Sequence, residues 1–254
     1  MSDFKKLILN TSIAAVISTA GMASAYADNH GGDRWQSTLG IYLWGMGING
    51  TASVGPVDAP LDLDFKDDLL DNLAGAFSAH YEAKKNRWTL FGDYMFAEID
   101  PSTALPNGAE ANVNFKNNMW ELGAAYDLTD NNASATWQIL GGVRSNKQEL
   151  RVEVGNMVPV NVKETWYDGF IGARVLAPKS KSWTFIGRAD VGAGDSDSVR
   201  TASAAVDWRY NKWGSLLLGS RWMDYDYDNG KRGPDRYAYD ATQSGVLGAL
   251  VFHW

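Results

Sequence analysis

The sequence predicts a closed, antiparallel transmembrane β-barrel of about ten strands, and three observations carry that prediction. Past residue 27, apolar and polar residues alternate with a period of two, and no helical spacing survives beyond a turn or two. Trp and Tyr recur near one end of most alternating segments. The connections between segments are short on one side and longer on the other, as in bacterial outer-membrane barrels. Eight or twelve strands are also compatible with this pattern.

Composition removes other classes. The 254 residues include 26 Gly, 11 Trp, 11 Tyr and no Cys, and carry a net charge of −7. Without Cys there is no disulfide framework, no thiolate metal ligand, no thiol nucleophile and no lipidated N-terminal Cys. The acidic balance argues against nucleic acid, because no basic stripe exists to neutralise phosphates. Mean hydropathy is negative, and only one long apolar run occurs, so a helical membrane protein is excluded. A strand pattern escapes that exclusion, since charge between lipid-facing residues lowers the average.

The elements follow in order. Residues 1–27 read as a secretory leader: Lys5 and Lys6, an apolar stretch over 7–22, then Ala25-Tyr26-Ala27 as cleavage site. Removing it takes Lys5, Lys6 and Asp3 from the 23 basic and 30 acidic residues, leaving 21 and 29, net −8. The mature chain, 28–254, is expected to be one barrel domain. Ten alternating segments are read at 35–49, 73–83, 87–100, 113–128, 135–154, 158–177, 182–193, 200–210, 214–227 and 237–254. Several exceed the roughly 9–11 tilted residues that cross a bilayer core. Connections after the second, fourth, sixth and eighth are short: KKN, TDNNAS, PKSK and NKW. Those after the first (50–72), third (101–112) and fifth (around Gly155) are long; GAGDSDS is modest and DNGKRGPDR intermediate. The short turns are assigned to the periplasm, and an even count puts both termini there.

A soluble barrel or sandwich also alternates, and three features argue against one. Trp35, Trp88, Tyr126, Trp137, Trp183, Trp208, Tyr210, Trp213 and Trp254 sit near the short-turn ends, where a ring that is apolar with one wet polar atom suits the lipid–water boundary. The chain ends GVLGALVFHW, with Val246, Leu250, Phe252 and Trp254 on one strand face, as in an outer-membrane assembly signal. Charged residues concentrate on the opposite face.

The stretch LDLDFKDDLLDNLAGAFSAHYEAKKNRWTLFGDYMF, with WYDGFIGARV, WTFIGRADVGAGDSD, WMDYDYDNG and the closing YDATQSGVLGALVFHW, resembles proteobacterial outer-membrane barrels of the opacity-protein-like surface type. The likeness spans nearly all of the mature chain. It implies a single barrel in the bacterial outer membrane and little about activity, since it carries over no catalytic residue.

If the Leu, Trp and Val face meets lipid, the other parity lines the lumen. That places His80, Glu82, Asp93, Glu121, Arg144, Asp168, Arg174, Arg188, Asp190, Asp207, Arg209 and Arg221 inside. Five Arg against six carboxylates with no Lys suits a crowded interior, because guanidinium forms bidentate, delocalised pairs. The expectation is a lumen closed by Arg–carboxylate pairs, with a narrow path for ions or small solutes as the alternative. An acidic outer rim is expected from Asp58, Asp62, Asp64, Asp67, Asp68 and Asp71 in the first long loop, Asp195 and Asp197 in the seventh connection, and Asp224, Asp226 and Asp228. DYDYDNG resembles the start of a calcium loop, but its Gly falls one position late and no Glu closes it, so no metal or cofactor is assigned. The alternative, loose divalent-cation binding among lipopolysaccharide headgroups, rests on the three Asp sharing a face. Leu69, Leu70 and Leu73 have near-helical spacing, so that loop is expected to form a short helix at the mouth.

Three His are poorly placed for chemistry: His30 and His253 are periplasmic, and His80 lies just above the KKN turn. No G-x-S-x-G, H-E-x-x-H or phosphate loop occurs. The sequence therefore leads to a structural or surface-exposed, non-enzymatic protein. A narrow porin-like channel comes second, and a rim-sited hydrolase or acyltransferase third. Expected partners are outer-membrane lipid and lipopolysaccharide, and the barrel-assembly machinery acting on the strand that ends at Trp254.

Overall fold

A computed structural model describes residues 34–65, 72–100, 102–104, 110–129, 133–154 and 160–254; the leader lies outside them. Twelve strands form one antiparallel sheet: β1 (Gln36–Val54), β2 (Val57–Leu63), β3 (Leu73–Lys85), β4 (Trp88–Ile99), β5 (Ser102–Ala104), β6 (Glu110–Asp127), β7 (Thr136–Val154), β8 (Val160–Pro178), β9 (Trp183–Gly194), β10 (Ser198–Arg209), β11 (Gly214–Asp228) and β12 (Tyr237–His253). Pairing of β12 with β1, from Thr38↔His253 to Val54↔Tyr237, closes the sheet. The wall is ten-stranded, because β2 is an extra strand beside β1 and β5 pairs only with β6. Closure pairs β12 with β1 along nearly the whole of both strands, whereas among the described residues β3 joins β1 only through Ala79–Lys84, short of its upper half.

The ten wall strands fall on the ten alternating segments, and the differences lie in the long connections. Residues 50–72 are not simply a loop. β1 runs on to Val54, turns at Gly55 and returns as β2, pairing Ile48–Val54 with Leu63–Val57. Gly55 has φ of 58°, in the left-handed region where a Cβ is strained, so the turn selects glycine. One edge of β1 is thus shared: Gln36–Ile41 pair with β3, and Ile48–Val54 pair with β2. The helix expected around Leu69 and Leu70 lies outside the described residues.

The parity of each strand sorts its residues. Leu218, Val246 and Leu43, at 71, 68 and 64 % exposure, stand outward on adjacent strands with Ile41, Leu122, Ile171 and Leu250. That apolar surface needs lipid around it. Two aromatic belts bound it. At the short-turn end, Trp35, Trp88, Trp137, Trp183, Trp208, Tyr210, Trp213 and Trp254 are exposed, and several touch: Trp183 and Trp208 stack at 6.0 Å, and Trp88 meets Tyr126 at 4.9 Å. At the other end Phe77, Tyr94, Tyr167 and Trp222 point outward, with Trp120 edge-on to Tyr167 at 6.3 Å. Beyond this second belt the outward residues turn polar, so the strands continue past the membrane.

Candidate functional site

The lumen concentrates the buried charge. Alternation turns one residue in two inward, and at the central level inward glycines leave room for large neighbours. A Cβ on Gly142 would collide with the Leu122 carbonyl oxygen and lie 2.9 Å from the Phe170 ring, and one on Gly123 would overlap the Phe91 ring. Those rings lie against guanidinium groups: Arg144 sits 5.1 Å from the Phe170 centroid, and Arg188 lies 5.3 Å from Phe170 and 5.5 Å from Phe91.

Arg144 and Arg188 share two carboxylates. Arg144 donates from Nε to Glu121 at 2.6 Å and from Nη2 to Asp190 at 2.9 Å. Arg188 donates from Nε to Asp190 at 2.8 Å and from Nη2 to Glu121 at 3.2 Å. Glu121 and Arg144 are 0 % exposed, so this square is cut off from water. A chain of polar groups runs from it. Tyr42 donates to Asp93 at 2.8 Å, and His80 bridges Asp93 at 2.9 Å and Glu82 at 3.1 Å. Arg174 pairs with Glu82 and donates to Gln138 at 2.6 Å, which in turn donates to Asp127, the partner of Lys84 at 2.7 Å.

Four other lumen residues stand apart from this network. Asp168 is buried, but its oxygens accept from Ser196 N–H at 2.9 Å and Ser196 O–H at 2.8 Å, which pins the β9–β10 turn. Asp207 is buried and Arg209 half-buried near the short-turn end. Arg221 is buried over the Trp44 ring at 5.2 Å, with Nη2 facing Met223 sulfur at 3.5 Å, while its Nε and Nη1 have no hydrogen-bond partner among the described residues. Ser215 and His253 touch at 2.9 Å at the short-turn end. Ser215 is 0 % exposed, and the other His253 nitrogen faces Thr38 Oγ1 at 3.4 Å, not a carboxylate.

Sequence reasoning treated the lumen as a charged interior and missed its second layer. Above the charges, toward the long-loop end, inward positions are largely apolar and aromatic, with a few amides among them: Met46, Met95, Met119, Met223, Trp166, Tyr225, Tyr227 and Tyr239 are all buried, and so are Asn117, Asn146, Gln148 and Gln243. Trp166 and Tyr227 stack at 4.2 Å. The signal was in the parity itself. Extending the inward register of β6 past Glu121 gives Met119, Asn117, Phe115 and Val113, and that of β11 past Arg221 gives Met223, Tyr225 and Tyr227.

The acidic rim divides. Asp58 and Asp62 are exposed along β2, where Asp58 meets Arg236 at 2.9 Å; Asp64 is exposed just after it. Asp67, Asp68 and Asp71 lie outside the described residues. Asp224, Asp226 and Asp228 share the outward face of β11, next to Asp240 on β12. Burial, and then the charges of Asp240, Asp197, Asp224 and Asp228, hold the Asp226 carboxyl above the usual carboxylate range. On the far wall, β6 to β8, the collar is mixed. Lys147 bonds Glu149 at 2.5 Å, Lys163 reaches the same oxygen at 3.3 Å, and Lys116 meets Glu98 at 2.9 Å. The hydrogen bond from Lys147 holds the Glu149 carboxyl below its usual range; Asn114, and then Lys116, do the same for Glu98.

No family model matches the sequence, and no curated protein matches it significantly. Solved structures do. The outer membrane protease OmpT of Escherichia coli superposes with a TM-score of 0.60 at 7 % identity, over 86 % of this chain and 97 % of that one. The translocator domain of the autotransporter NalP of Neisseria meningitidis gives 0.46 at 13 %, over 89 % and 90 %, and Ail of Yersinia pestis 0.36 at 11 %, over 86 % and 98 %. At such identities the likeness to OmpT concerns fold alone. The fold is that of bacterial outer-membrane β-barrels.

Proposed function

We propose that this chain is a sealed, non-enzymatic outer-membrane barrel whose role is structural or surface-exposed. The supporting observation is a lumen filled across its section: the Arg144–Arg188–Glu121–Asp190 square below, and the buried Met and aromatic layer above. A ten-stranded wall encloses too little space for a porin-like channel once such side chains fill it. What the protein offers a partner is therefore its outside: the belts, the polar collar and the strand ends. Outer-membrane lipid and lipopolysaccharide surround that collar in this reading, and the assembly machinery engages the strand ending at Trp254. The resemblance to opacity-protein-like surface barrels supports the outer-membrane setting of that role.

Current across planar bilayers tests it. The wild type, Arg188→Ala and Arg209→Ala are all expected to pass no steady current. A steady conductance whose selectivity changes in either variant would establish a narrow ion or solute channel instead. One observation favours that second reading: Arg221 Nε and Nη1 and Gln148 Nε2 are buried donors without partners among the described residues, and such groups call for internal water. The Ser215–His253 pair is buried at the short-turn end and does not serve a hydrolase or acyltransferase sited at the outer rim. Lipid A and peptide profiles unchanged in a deletion strain are the expected result.

A further inference from the structure

The polar collar is two-sided. Above the outer aromatic belt, registered residues Tyr94, Trp120, Ser145 and Tyr167 mark the last apolar row on β4, β6, β7 and β8. The next outward rows bring in Lys147, then Lys116 and Lys163 on either side of Glu149. Lys147 and Lys163 bind the same Glu149 oxygen, so their ammonium groups stand within about 6 Å of each other, and Lys116 lies two strands, about 10 Å, from Lys163, within reach of one headgroup given the length of a lysine side chain. Lys116, Lys147 and Lys163 are 40, 38 and 65 % exposed. Three ammonium groups meet two carboxylates, Glu149 and Glu98, leaving one net positive charge. Exposed pairs of this kind hold together by only about 0–1 kcal/mol each, so a doubly charged oxyanion competes well with them. Tyr94 donates to the Asn118 carbonyl at 3.0 Å, which fixes that amide beside Lys147 at the same level. The opposite wall, β10 to β12, presents Asp197, Asp224, Asp226, Asp228 and Asp240 with Arg200, and repels such a group.

We propose that Lys116, Lys147 and Lys163 form a docking site for the sugar-borne phosphate of an outer-leaflet glycolipid, whose acyl chains lie on the Trp120–Tyr167 shelf below. A lipid is the favoured source over free phosphate because the cations stand one and two rows beyond the aromatic belt, where a headgroup lies and its chains meet apolar wall. The site rests on the outer-membrane reading and its orientation, and it is independent of whether the lumen conducts.

Lipid retention by native mass spectrometry tests it. The full-length barrel is refolded in phosphatidylcholine vesicles containing either diphosphorylated lipid A or its dephosphorylated form. Wild type is expected to retain the phosphorylated lipid. The triple variant Lys116→Gln, Lys147→Gln, Lys163→Gln is expected to retain it about tenfold less, and so is wild type offered the dephosphorylated lipid. Asp224→Asn with Asp240→Asn on the far wall serves as control and keeps full retention. Heat-modifiable migration in gels shows that each variant still forms the barrel. Equal retention by the triple variant, or equal retention of dephosphorylated lipid, overturns the site. Displacement by inorganic phosphate as effectively as by lipid overturns the assignment to a headgroup. Channel activity is read separately, so an open lumen with an intact phosphate preference refutes only the sealed-barrel reading.

Discussion

Arg188 touches both carboxylates of the central square, and so does Arg144. Neither carboxylate depends on one cation, yet neither reaches water. Removing Arg188 leaves two carboxylates for Arg144 alone in a closed space, a loss of about 3–5 kcal/mol. Arg188→Ala is therefore expected to lower the urea midpoint of the reconstituted barrel sharply while it still passes no current. Gly142 acts at the same level through what it lacks. A valine there meets the Phe170 ring and the neighbouring strand, and the forced shift is expected to cost about 1–3 kcal/mol. Equal midpoints for Gly142→Val and wild type would mean that the β6 backbone at Leu122 and the Phe170 ring both give way freely. Glu149, outside the membrane, gives a pH test. Its folded pKa lies below the unfolded value, so its contribution exists above the ordinary Glu range near pH 4.3 and fades as the pH falls through the folded value. Exposure and salt keep that contribution under about 1 kcal/mol. Glu149→Gln should be slightly less stable than wild type at neutral pH and converge with it in acid.

Among the elements, β1 carries the most unusual demand, since one edge serves β3 in its lower part and β2 in its upper part. The hairpin that makes this possible hinges on Gly55 with its positive φ. Gly55→Val imposes a backbone strain of about 1–2 kcal/mol, and faster cleavage of the 50–63 hairpin by added protease is the expected readout. The last strand has the complementary task of closure. Ser37 and Trp254 exchange backbone hydrogen bonds at 2.8 and 3.0 Å, and the Trp254 ring lies 6.3 Å from Tyr81 on β3. Truncation before Phe252 removes both the ladder end and its aromatic anchor, and should lower the yield of heat-modifiable barrel in cells and in refolding. A defect confined to cells would point to lost recognition by the assembly machinery instead of lost closure.

At the scale of the molecule, three radial zones account for the composition: an apolar outward band, a lumen that is charged at its centre and apolar toward the long loops, and a collar with unlike walls. The band and the ten wall strands were legible because lipid and lumen impose opposite polarities on alternate residues. Trp183 beside Phe185, Ile186 and Arg188 already spells out both faces of β9. The inward register of the charged residues was legible for the same reason. Less legible was anything that depends on which strand lies across the lumen. Arg174 of β8 finds Glu82 of β3, and Tyr237 of β12 finds Gln148 of β7, contacts that join residues 92 and 89 positions apart. β2 was hidden because its period-two run, Val57, Ala59, Leu61 and Leu63, is broken by Pro60 and crowded with Asp. By itself the sequence determined the fold class, the strand directions and the face each residue takes, because these follow from local alternation and from the polarity of lipid, lumen and water. Only the tertiary structure decided who pairs with whom across the lumen, that a Met and aromatic layer lies above the charges, and that the collar has a basic and an acidic wall. Those outcomes depend on closure and register around the ring, which bring together residues that local pattern leaves far apart.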